Sequence, residues 1–243
     1  PTAYVPDIVI DHNYMGLGAS LTDPRDLFVG PDNRVYIVDA GANIVYAFDR
    51  YYKFLFQIDT FVNDQGVPDG FEKPRGLYLK PDIQEKNKAE LYVCDTENNR
   101  IVVFSVLFAE DGAVEPIEFH RIIGQPESTA FPEGATYKPI ACAVDTAGRI
   151  YVVSSTTNLG IISMNSDGQF LGFLGAQKTA PSAWQIFWRM FQTKEQRAQL
   201  QALVPTEYNN IDIDASGFIY ATISSLDEAK MASAISPSIQ TQM

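Results

Sequence analysis

The chain has 243 residues, 46% of them hydrophobic, which is enough for a sizeable buried core and too many for a disordered tail. Its longest apolar runs, such as Ile101 to Phe104, are far too short to span a bilayer, so no transmembrane segment is expected. Asp and Glu number 30 against 18 Lys and Arg, a formal net charge of −12, and no basic cluster occurs. That argues against nucleic acid and against direct attraction to anionic lipid.

The first residue is Pro1 rather than Met, which predicts a removed upstream segment such as a signal peptide or a tag. Ile8 to Ile10 reads as a lone strand. From Pro24 the chain becomes repetitive. Pro-Arg-Asp-Leu-Phe-Val at Pro24 is followed by a turn at Pro31 to Arg34 and by Val-Tyr-Ile-Val-Asp ending at Asp39. Pro-Arg-Gly-Leu-Tyr-Leu at Pro74 leads, after a polar insertion, to Leu-Tyr-Val-Cys-Asp ending at Asp95. Pro139 opens a third copy ending at Ser154, and Pro205 a fourth ending at Ile223. Tyr36, Tyr92, Tyr151 and Tyr220 stay in register although the spacing from Pro to Tyr varies from 12 to 18 residues.

Each copy reads as short β-branched strands separated by Gly, Asn and Asp turns. Four antiparallel strands per unit, recurring every 50 to 66 residues, predict an all-β fold: a β-propeller of four-stranded blades. A Greek-key sandwich would not require the Pro-to-Tyr pattern to recur. The blades fall near 24–58, 74–123, 139–174 and 205–224 of a single domain over 1–243. A helical insertion is expected over 182–203, with Ser182 as N-cap, Trp184, Phe187, Trp188 and Phe191 at helical spacing, and a capping box from Thr193 to Gln196. Residues 225–243 read as an irregular tail with no outer strands for the fourth blade, so the propeller is expected to be incomplete in this chain.

The units resemble NHL repeats. The likeness rests on Pro-Arg-Asp/Gly-Leu at Pro24 and Pro74, on Tyr-x-x-Asp ending at Asp39 and Asp95, and on Asn-Ile-Val at Asn43 and Asn-Arg-Ile-Val at Asn99. The segment Gly66 to Gly76 is similar to that family's inter-blade loop. The resemblance implies a propeller usually closed by six blades, of which about four are present. The helical insertion is similar to that of bacterial exported NHL-repeat proteins of uncharacterised activity, which implies an extracytoplasmic, cell-surface location.

Propellers concentrate function where the inner strands begin. The residues there are Arg25, Asp26, Arg75, Asn209 and Asn210, the candidate ligand-binding set at the channel mouth. Two converging arginines could hold a carboxylate or phosphate. The structural reading pairs each Arg with a nearby acid such as Asp26 or Glu72, and it is the preferred one. Asp39 and Asp95, with Asn43 and Asn99 four residues on, read as turn-fixing side chains rather than metal ligands. Cys94 and Cys142 read as buried small hydrophobes, with a disulfide left open.

No catalytic constellation stands out. A zinc site needs histidines around the channel, and His12 and His120 lie outside the inner strands. No Gly-x-Ser-x-Gly elbow or Gly-rich phosphate loop occurs. The leading expectation is a non-enzymatic binding or interaction scaffold without a metal or cofactor. Its partner would be a protein, with a membrane-associated complex among the options, docking on Trp184, Phe187, Trp188 and Phe191. The loops Thr60 to Phe71 and Gly124 to Tyr137 are expected to frame the channel mouth. The alternative is a metal-dependent lactonase-like hydrolase or lyase, with calcium held at the channel by Asp26, Asn209 and Asn210.

Overall fold

The computed structural model describes residues 8–31, 33–108, 117–157, 159–175, 208–214 and 216–223, and the backbone of 232–235. One short helix, α1 (His12–Met15), precedes the sheets. The first blade is β1 (Pro24–Val29), β2 (Val35–Asp39), β3 (Ile44–Phe48) and β4 (Phe54–Ile58). A hairpin of β5 (Thr60–Val62) and β6 (Pro68–Gly70) follows. The second blade is β7 (Gly76–Pro81), β8 (Lys88–Asp95), β9 (Arg100–Leu107) and β10 (Glu118–Ile123). The third is β11 (Pro139–Val144), β12 (Ile150–Ser154), β13 (Ile161–Met164) and β14 (Phe170–Leu174). The fourth is β15 (Tyr208–Ile213), β16 (Ile219–Ile223) and β17 (Ala232–Ile235). Within each blade consecutive strands pair antiparallel, and β1, β7, β11 and β15 contact one another in that order. This is the predicted β-propeller arrangement, with the first strand of every blade innermost.

Strand alternation explains why the blades stack. Leu77 and Leu79 of β7 pack against Tyr36, Val38, Val45 and Ala47 of the first blade. Tyr78, one step out of phase, joins the core shared with the third blade. Both faces of the second blade are thus buried by neighbours, which a lone four-stranded sheet cannot achieve. The far face of the first blade is covered in part by Met15, Leu17 and Leu21, packed on Val35, Ile37 and Phe48.

The recurring aspartates fasten the turns, as the sequence suggests. Asp39 accepts backbone N–H bonds from Thr22 (2.6 Å), Asp23 (2.8 Å), Gly41 (3.0 Å) and Ala42 (3.1 Å). Asp95 accepts from the Glu72 N–H at 2.7 Å, and in the third blade Ser154 Oγ accepts from the Lys138 N–H at 3.0 Å. Each therefore ties the end of a second strand to the loop that feeds the first. Asn43 and Asn99 adopt φ of 60° and 57°, which asparagine tolerates better than most residues. Asn43 Oδ1 also accepts from the Lys73 N–H at 2.7 Å, a bond between consecutive units.

The structure corrects four expectations. Ile8 to Ile10 is not a strand: it is exposed and pairs with none among the described residues. The segment Thr60 to Phe71 is not an open loop at the channel mouth. It forms the β5–β6 hairpin, and Phe61 stacks on Phe119 and meets Phe104 of the second blade's outer strands. Gly124 to Tyr137 likewise lays Phe131 against Phe170 and Phe173 of β14, because aromatic rings gain more on an outer apolar sheet than in water. The tail holds a strand after all: β17 pairs with β16 from Thr222↔Ala232 to Ile219↔Ile235. Its Ala-Ser-Ala-Ile sequence has little intrinsic β preference, and the free edge of β16 supplies the ladder. The expected helical insertion over 182–203 lies outside the described residues.

Candidate functional site

The residues singled out at the starting ends of the inner strands share one structural device. The β1–β2, β11–β12 and β15–β16 ladders each slip by one residue, at Arg25, Ile140 and Asn209 respectively. The slipped residue is the extra one of a bulge, and bulges commonly re-aim a side chain. Most of these side chains, however, are occupied within the fold. Arg25 pairs with Asp23, Nε at 3.0 Å and Nη2 at 2.8 Å, so its acid is neither Asp26 nor Glu72. Asp26 accepts from the Leu27 N–H at 2.9 Å and, across the blade interface, from the Leu77 N–H at 3.0 Å. Asn210 Oδ1 accepts from the Ile211 N–H at 2.7 Å, and Asn209 Oδ1 accepts from the Thr222 hydroxyl. The Arg75 backbone N–H donates to the Cys94 carbonyl, and its guanidinium acts electrostatically on Glu97, which pairs with Lys138.

Burial raises the Asp26 carboxyl above the usual carboxylate range, and the Asp212 charge raises it further, against the two N–H bonds that lower it. Asp26 on the first blade thus feels the charge of Asp212 on the fourth.

A cavity that was not anticipated lies at the other end of the inner strands. It measures about 630 Å3 and is built where β7, β11 and β15 finish and turn. Tyr78 and Lys80 come from the second blade, Asp145 and Arg149 from the third, and Asp214 and Phe218 from the fourth. Its turns are built by aspartates. Asp145 accepts from the Arg149 N–H (2.8 Å), the Arg149 Nε (2.6 Å) and the Tyr151 hydroxyl (3.1 Å). Asp214 accepts from the Ser216 and Phe218 N–H groups, both at 2.9 Å, and from the Tyr220 hydroxyl at 3.1 Å. Burial and then the Asp145 charge push the Tyr151 hydroxyl up to about 12, so it stays a donor throughout the ordinary pH range. These bonds hold the turns rigid while Arg149 (47% exposed side chain) and Phe218 (45%) face solvent at the rim.

The sequence carried one signal for this cavity, the Asp at the start of two inner turns, Asp145 and Asp214. It carried none for its assembly from three turns far apart in the chain. Elsewhere, His120 Nδ1 lies 3.1 Å from Glu90 on an outer strand, half exposed, away from the inner strands. Ser155 lies in the turn after β12, its N–H bonded to the Lys138 carbonyl at 3.0 Å. Among the described residues no three His, Cys, Asp or Glu side chains converge on a point, and no helix is long and apolar enough to cross a membrane. Trp184, Phe187, Trp188 and Phe191 lie outside the described residues.

No protein-family model matches the chain, and no curated protein matches it. Solved structures do. A gluconolactonase from Xanthomonas campestris superposes with a TM-score of 0.51 at 18% identity, over 90% of this chain and 58% of its own. That likeness supports the propeller fold and nothing finer. A protein of unknown function from Bacteroides thetaiotaomicron gives 0.47 at 17% identity, over 90% of this chain and 42% of its own. Virginiamycin B lyase from Staphylococcus aureus gives 0.44 at 12% identity, over 88% and 55%. The chain spans less than two thirds of each of these proteins.

Proposed function

We propose that this chain is an NHL-type propeller that acts as a binding module for a protein partner outside the cytoplasm. The observation that carries the reading is the 630 Å3 cavity with Arg149 and Phe218 exposed at its rim. Arginine and aromatic side chains supply a large share of interface hot spots. Here they stand on turns already braced by Asp145 and Asp214, so little ordering remains to be done on binding. Arg75 at the opposite mouth, and the aromatic stripe Trp184, Phe187, Trp188 and Phe191, are the secondary contacts of this proposal.

The alternative, a metal-dependent lactonase-like hydrolase or lyase, asks Asp26, Asn209 and Asn210 to hold calcium. Calcium needs several oxygens free to converge on it. Both Asp26 oxygens, Asn209 Oδ1 and Asn210 Oδ1 already accept hydrogen bonds within the fold. Among the described residues no three His, Cys, Asp or Glu side chains converge, and the binding reading is preferred for that reason.

The test is chemical crosslinking of the tagged chain in its native host, comparing wild type with the Arg149→Glu/Phe218→Ala variant. The expected result is a crosslinked protein whose peptides map beside residues 145–149 or 214–218, lost in the variant. A crosslink map confined to other surfaces, or one unchanged in the variant, overturns the proposal.

A further inference from the structure

The chain contains two cysteines. They lie on neighbouring blades, Cys94 in β8 and Cys142 in β11. The repeat fixes which way each points. Cys94 pairs with Gly76, as Val38 pairs with Asp26 and Val153 with Ala141. That position faces the following blade: a Cβ on Gly76 would meet Ile140 and Ala141 of the third blade. Cys142 takes the place held by Leu77 in the second blade and Ile211 in the fourth. That position faces the preceding blade, as Leu77 does in the core it shares with the first. Cys142 therefore looks back at Cys94.

The flanking interfaces act as internal controls. The equivalent facing pair is Val38 with Leu77 between the first and second blades, and Val153 with Ile211 between the third and fourth. Between the second and third, both members are sulfur, and they are the chain's whole complement of cysteine. A requirement for small apolar side chains alone would be met by Val and Leu, as it is on either side. Both are free, buried thiols in the structure, 0% and 2% exposed, and near enough for the Cys142 sulfur to act on Cys94. The buried Tyr137 hydroxyl lies near both and has no hydrogen-bond partner among the described residues.

We propose that Cys94 and Cys142 are joined by a disulfide that crosslinks the second and third blades when the chain folds in a thiol-oxidising compartment. The Sγ–Sγ bond forms as both S–H bonds are lost. A disulfide of an oxidoreductase, or of oxidised glutathione, takes up the two electrons and two protons and leaves as two thiols. The exchange belongs to folding. Once the interface closes, burial and the neighbouring Cys142 sulfur push the Cys94 thiol far above its ordinary value, and no thiolate remains to react. This inference is independent of the binding proposal.

The test is refolding of the full chain in a glutathione redox buffer, then denaturation with N-ethylmaleimide present and intact-mass measurement. The expected product is a monomer without adducts, about 2 Da lighter than the reduced chain. A non-reducing digest should join the Cys94 and Cys142 peptides, and reduction should lower the thermal midpoint by roughly 10 °C. Cys142→Ser should leave a single alkylated thiol. A folded monomer that takes two adducts without reductant, or a disulfide-linked dimer, overturns the proposal. Should refolding fail, the same assay on chain exported to a bacterial periplasm decides it by the same outcomes.

Discussion

At Gly76 the second blade presses its backbone against the third. A Cβ there would come within 2.4 Å of the Ile140 carbonyl oxygen and 2.8 Å of the Ala141 Cα, both backbone atoms that cannot swing aside. The corresponding residue of the first blade is Asp26, whose side chain fills the same gap by bonding the Leu77 N–H. One position in the repeat thus serves either as a close backbone contact or as a polar bridge, and in the Pro-Arg-Asp/Gly motif it appears only as a choice between Asp and Gly. Gly76→Ala is expected to cost about 2–4 kcal/mol, because the two blades must separate locally. Gly18→Ala, with no atom within 4 Å of its added Cβ, is the matched control and should stay within about 0.5 kcal/mol. Urea midpoints at constant slope measure both. Equal effects at the two sites would mean that the blades do not meet as described.

At the level of elements, the β5–β6 hairpin shows how a polar lock substitutes for extensive burial. Arg100 reaches both Asp69 oxygens at 2.8 Å and Asp95 at 2.8 Å, and its Nη2 donates to the Gly70 carbonyl. The Arg100 guanidinium, partly opposed by burial and aided by the Gly70 N–H, holds the Asp69 carboxyl down to about 2 from an ordinary 3.8. A folded-state value below the unfolded one means the lock is complete above about pH 4 and is lost as pH falls towards 2. After allowance for solvent screening its contribution is about 1 kcal/mol. Protection factors in residues 60–70, taken against the intrinsic exchange rate at each pH, should fall over that window and before the blades themselves open, and a hairpin whose protection is constant from pH 5 to pH 2 would contradict it. The sequence disclosed the blades better than this hairpin. Four tyrosines in register are a long-range signal, and three of them, Tyr36, Tyr92 and Tyr151, are fully buried. Strands of three residues carry no periodicity to read, so Thr60 to Val62 passed for loop. Ala232 to Ile235 were missed because their pairing is imposed by a neighbour rather than by their own side chains. The cavity was hidden for a related reason: Lys80, Arg149 and Phe218 become neighbours only when three blades stack.

For the whole molecule, the decisive fact is that the described residues do not cover the blades equally. The second and third have neighbours on both sides, and their central strands are mostly buried. The first blade exposes Leu27 (52%) and Val29 (53%) on the face turned away from the second. In the fourth, Tyr220 occupies the register of the buried Tyr151 yet is 48% exposed, because no described residue packs on that face. The stability of a stacked array is approximately the sum of what each unit contributes and what each interface contributes. A unit with one interface should therefore open at lower free energy than a unit with two. Native-state hydrogen exchange should rank the amides of β8, β9, β12 and β13 as slowest, with β1 and β15 faster by at least about tenfold, equivalent to roughly 1.4 kcal/mol. The first blade should exchange more slowly than the fourth, since Met15, Leu17 and Leu21 cover part of its outer face. Uniform exchange across the four blades would show that the exposed faces are covered in solution, and would direct the search for a partner to Leu27, Val29 and Tyr220 rather than to the cavity at the end of the inner strands.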